Sequence, residues 1–69
     1  APWPKKLAEQ TGAVLALLRR QQEALTVKQV MRAFKGSRAK DVEAVLETLG
    51  ALGLLVTFEE ATGRRWARV

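Results

Sequence analysis

The chain contains no cysteine and no histidine. Without cysteine there are no disulfides and no thiolate metal ligands. Without histidine the commonest general base and metal ligand is gone. No apolar run approaches the roughly 20 residues that cross a bilayer, and no signal-peptide pattern occurs. Carboxylates are scarcer than cations: seven Asp and Glu stand against twelve Lys and Arg, a net charge of +5. No carboxylate cluster surrounds a glycine-rich loop. Asp41 and Glu43 fall on different faces of a helical stretch, so they form no catalytic pair. These absences leave no parts for an enzyme, and neither a cofactor nor a metal is expected.

What is present reads as one small globular domain. With 69 residues, 48% of them hydrophobic and 28% charged, the chain matches the composition of folded proteins. A core of that size buries roughly 60% of the unfolded chain's surface. The chain begins at Ala1, not Met, and stops at Val69 directly after a strand-like segment, as expected of a domain from a longer protein. The basic balance favours association with nucleic acid or another acidic partner.

The opening "APWP", residues 1–4, reads as an extended arm or linker end, because a residue before proline avoids the helical region. Trp3 is expected to pack on the domain's own surface. The domain proper is expected over 5–69. A first helix is predicted from about Lys5 to Gln22, with Leu7, Thr11, Val14, Leu15 and Leu18 recurring at steps of three and four. Arg19 and Arg20 sit in its last turns, where the helix dipole favours cations.

The second helix has strong start signals. Thr26 with Gln29 forms a capping box, and Leu25 can staple onto Val30. Val27, Val30, Met31 and Phe34 follow helical spacing, with Lys28, Arg32 and Lys35 on the other side. Gly36 is expected to stop this helix after about three turns. Ser37 is the expected N-cap of the third helix, whose apolar face is Val42, Val45, Leu46, Leu49 and Leu52. Lys40, Glu43, Ala44, Glu47 and Ala51 make the opposite face. Beyond Gly53 the period changes to two. "LLVTFEE", "ATG" and "RRWARV" read as an antiparallel hairpin turning at Ala61-Thr62-Gly63. Phe58 and Trp66 are expected to cap the core.

The expected fold is therefore mostly α with a small β-hairpin. Three helices and a terminal two-stranded wing, with only Lys35-Gly36-Ser37 between helices two and three, resemble a winged helix-turn-helix. The segments "PWPKKLAEQ" and "LTVKQVMRAFKGSRAKDVEAVLETLGALGLL" are also similar to the C-terminal tail of some bacterial restriction–modification DNA methyltransferases. That resemblance implies a non-enzymatic accessory module of a cytoplasmic DNA-acting protein, with double-stranded DNA as partner and the catalytic domain elsewhere. Other domains of such a parent, or a dimer partner, are further partners it implies.

The third helix carries a puzzle. Lys35, Arg38 and Lys40 cluster at its N-terminal end, where the dipole disfavours cations. In a winged helix the start of this helix points into the major groove, so a polyanion docked there would explain the placement. The expected DNA contacts are Lys35, Ser37, Arg38 and Lys40, joined by Arg64, Arg65 and Arg68 of the wing. Arg38 also falls near the buried arc, where packing would engage it. The wing arginines have a competing reading as charges guarding an edge strand, paired with Glu59 and Glu60 across the hairpin. Glu43 and Glu47 count against a deep contact, since carboxylates repel a phosphate-lined groove. They favour the alternative, a winged helix used for protein–protein contact.

Overall fold

A computed structural model describes residues 2–69. Helix α1 spans Leu7–Arg20, α2 spans Val27–Ala33 and α3 spans Ala39–Ala51; strands β1, Leu55–Glu60, and β2, Gly63–Arg68, form the terminal hairpin. This is the layout expected of a winged helix.

Each boundary has a local cause. Thr26 Oγ1 accepts from the Gln29 N–H at 3.3 Å, and Gln29 Oε1 accepts from the Thr26 N–H at 2.9 Å, so the capping box that starts α2 is complete. The helix is two turns long, not three. Its C-cap is Phe34, already extended at φ −124°, ahead of Gly36 at φ +85°. Ser37 does not cap α3. Its hydroxyl donates to the carbonyls of Phe34, at 2.8 Å, and Met31, at 3.4 Å. It thereby adds a second bond to carbonyls at the end of α2 that already accept from the Phe34 and Ser37 N–H groups. The N-cap of α3 falls on Arg38, which makes no side-chain capping bond.

The end of α3 is a Schellman motif. The Leu54 N–H donates to the Leu49 carbonyl and the Gly53 N–H to the Gly50 carbonyl, with Gly53 at φ +78°. The motif ends the apolar stripe early. Leu52, expected inside, is the C-cap and 67% exposed, while Leu55 beyond the turn is buried.

Val30 and Phe34 meet Val42, Val45, Leu46 and Leu49 in the core, with Val14, Leu17 and Leu18 closing it from α1. The face of α1 is rotated from the expected one: Leu17 is buried, Leu15 only partly, and Leu7 is exposed. The reason is that α1 packs against both α3 and β2, so its buried arc spans two neighbours. The arm expected over 1–4 begins at Ala1, which lies outside the described residues. From Pro2 onward it lies against the domain. Pro2 bridges Lys35, the Trp3 N–H donates to the Lys35 carbonyl at 3.0 Å, and the Trp3 ring meets Phe34 edge-on at 5.3 Å.

The hairpin is joined to the helices by its backbone. Leu25 and Trp66 exchange both N–H···O bonds, each 2.8 Å. A one-residue third strand therefore lies along β2, on the side away from β1. The register pairs Thr57 with Trp66 and Phe58 with Arg65. Side chains alternate along a strand, so Thr57 shares the inner face with Trp66, and Phe58 points outward. The expectation that Phe58 caps the core is thus overturned; it is 49% exposed, and Trp66 fills that place alone.

Candidate nucleic-acid interface

The basic residues of α2, the start of α3 and the wing separate into three places. Around the start of α3, Lys35, Arg38 and Lys40 are all exposed. Arg38 is not drawn into the packed arc, contrary to expectation, because it stands before the helix as its N-cap. Asp41 supplies the acidic group in the first turn, partly offsetting the unfavourable placement of Lys40 against the dipole. Of Lys35, Ser37, Arg38 and Lys40, only Ser37 has its side chain hydrogen-bonded, to the carbonyls at the end of α2.

The second place is a groove of about 530 Å³ between the start of α2, the middle of α3 and the wing. Lys28 and Arg32 enter it from α2, one helical turn apart and so on one face. Arg64 and Arg65 enter from β2, and Glu43 is the one carboxylate on its walls. An adjoining hollow holds Val27, Glu43, Glu47, Arg64 and Trp66. The two α3 carboxylates thus share a hollow with a wing arginine.

The wing arginines are partly committed. Arg64 Nε donates to Glu59 Oε1 at 2.6 Å, directly across the hairpin, and its guanidinium lies 5.7 Å from the centre of the Trp66 ring. Arg65 Nε donates to Glu60 Oε1 at 2.6 Å; its Nη1 donates to the Ala24 carbonyl at 3.2 Å and to Gln29 Oε1 at 3.4 Å. The edge-strand pairing weighed above is therefore present. It does not disable the arginines. Exposed pairs of this kind contribute at most about 1 kcal/mol, and each guanidinium has more donors than one carboxylate oxygen uses. Among the described residues, no other basic side chain makes an ion pair.

Arg68 lies elsewhere. It lines a hollow with Gln21, Gln22 and Glu23 beyond the end of α1, four residues or roughly 13 Å along the strand from Arg64. The structure thus brings Arg64 and Arg65 together with Lys28 and Arg32, and sets Arg68 apart. Lys28 and Arg32 were not singled out as contacts from sequence. Their signal was an i, i+4 basic pair on the exposed side of α2; which element would face them depended on where the wing folds.

A scan against protein-family models, a search of curated proteins and a search of solved structures each returned no match. Among the described residues, no helix is long and apolar enough to cross a membrane, and no group of acidic side chains is placed to hold a metal ion.

Proposed function

We propose that this domain binds double-stranded DNA through the face that carries the start of α3, the outer side of α2 and the wing. One observation carries the reading: four cations from two separate elements, Lys28 and Arg32 of α2 and Arg64 and Arg65 of β2, line one groove with a single carboxylate. Cations converging from separate elements focus positive potential better than the same charges spread over the surface. Lys35, Arg38 and Lys40 extend the positive face toward the turn between α2 and α3. The phosphate backbone is the natural target of such a face. The resemblance to methyltransferase tails supports a setting: an accessory module of a larger bacterial restriction–modification protein, working in the cytoplasm without chemistry of its own.

A second reading rests on Glu43 and Glu47. Both line the hollow that adjoins the groove, beside Arg64, which suits a basic protein segment better than a phosphate. Fluorescence anisotropy with duplex DNA at low and moderate salt decides between the two. DNA binding predicts affinity at low salt that falls steeply as salt rises, because each phosphate contact releases counterions. No affinity at low salt would leave protein contact as the function.

A further inference from the structure

We propose that β1 pairs edge to edge with β1 of a second copy of this chain, antiparallel and centred on Thr57, joining the two hairpins into one sheet. Both backbone groups of Trp66 are spent on Leu25. Thr57, its partner across the hairpin, is therefore in a non-hydrogen-bonded pair, and its own N–H and C=O turn away from β2. By alternation the same holds for Leu55 and Glu59. Val56, Phe58 and Glu60 face β2, as does Leu54, whose carbonyl accepts from the Val69 N–H at 3.1 Å.

Nothing among the described residues covers that free edge. No backbone hydrogen bond outside the hairpin reaches Leu55, Thr57 or Glu59. Neither proline, lysine nor a bulge blunts that edge: β1 has neither residue, and its register with β2 is unbroken. Its only charges, Glu59 and Glu60, are paired with Arg64 and Arg65 of β2. Its outward face carries two exposed apolar side chains, Val56 at 40% and Phe58 at 49%, ahead of Glu60.

The strand is complementary to itself. A two-fold axis at Thr57 sets Thr57 opposite Thr57 and Leu55 opposite Glu59, so all three outward-facing residues of each copy find ladder partners. A shift of two residues either way sets one of them against the Gly53 bend or the Ala61 turn. The centred register also places Val56 beside Phe58 of the other copy, covering the exposed apolar side chains with each other. Charge selects the direction. Parallel pairing would stack Glu59 on Glu59 and Glu60 on Glu60, whereas the antiparallel register holds the two Glu60 residues about 20 Å apart along the strands.

The test is sedimentation equilibrium of the whole chain, without DNA, over a range of concentrations. The expected result is a weak, reversible monomer–dimer equilibrium that strengthens with salt, since each copy carries +5 and screening relieves their repulsion. Phe58→Lys is expected to weaken the dimer about tenfold or more, through the lost apolar pair and a new like charge, with circular dichroism showing the fold retained. Register is read by cross-linking, which is clean because the chain has no cysteine. Val56→Cys mixed with Phe58→Cys should form heterodisulfides faster than either variant forms homodisulfides, because only the mixed pair lies directly opposite at about 4.5 Å between Cα atoms. A chain that stays monomeric at millimolar concentration and high salt overturns the proposal. So do equal cross-linking rates for mixed and single variants, even if Phe58→Lys fails to fold. None of these readings uses DNA, so loss of the dimer and loss of DNA binding are separate outcomes.

Discussion

Gly50 lies against the Trp66 indole: a Cβ on Gly50 would sit 3.3 Å from Trp66 Cζ3. The ring has little room to yield, because Trp66 is buried and its backbone is bonded to Leu25 on one side. Gly12 is the contrasting case, exposed in the middle of α1 with nothing within 4 Å of where a Cβ would stand. Gly12→Ala should therefore gain about 0.5–1 kcal/mol from helix propensity alone, or several degrees in melting temperature. Gly50→Ala should lose that gain to crowding and melt no higher than the parent. Thermal denaturation followed by circular dichroism compares the two; equal gains would mean that the indole is not held against α3.

Gly36, at φ +85°, has open space around it. The cost of a side chain there is therefore backbone strain alone. Gly36→Ala should destabilise the domain by about 1–2 kcal/mol, and Gly36→Asn by less, since asparagine tolerates the left-handed region. Denaturant midpoints measure both. A stabilising Gly36→Ala would contradict the tight turn between α2 and α3.

Thr26→Ala removes one half of the capping box. A loss of about 1 kcal/mol is expected. Gln29→Ala should act at two places, because its side-chain oxygen accepts from Thr26 and also from Arg65 of the wing. Chemical denaturation of the single and double variants of Gln29 and Arg65 should show coupling between the sites; strict additivity would mean that the link from α2 to the wing contributes nothing.

On DNA, Lys28→Glu and Arg32→Glu should weaken binding to any duplex, and Lys40→Glu likewise. Each lost phosphate contact should lower the salt slope by about one unit. Arg64→Ala should weaken binding more than Arg68→Ala, because Arg68 lines a different hollow. Glu43→Ala with Glu47→Ala should tighten binding. Anisotropy titrations at two salt concentrations read all of these. A double alanine that leaves affinity unchanged would place those carboxylates away from the DNA.

Local signals carried most of the architecture. The capping box at Thr26, glycine at 36 and 53, and the switch from helical to alternating periodicity after Gly53 placed three helices and a hairpin in order. Such signals act over a few residues and are written in the residues themselves. They failed where two local roles competed for one group. Ser37 suits an N-cap, but the carbonyls of Phe34 and Met31 at the end of α2 were within reach of the same hydroxyl. They failed again where the phase of a strand was at stake. Both sets of alternate residues in "LVTFEE" contain an apolar side chain, so alternation alone did not say whether Leu55 or Phe58 belonged inside.

By itself, the sequence determined the order and kind of the elements, the absence of cysteine and histidine, and the excess of positive charge. The tertiary structure decided which cations share a surface. Lys28 and Arg32 are more than thirty residues from Arg64 and Arg65, and they line one groove because the Leu25–Trp66 backbone pair folds the wing back beside α2. That pair also turns the backbone of Thr57 outward and leaves β1 with a free edge. Caps and periodicity act between neighbours along the chain, whereas a groove and a free edge are set by contacts between distant segments that form only when the core closes.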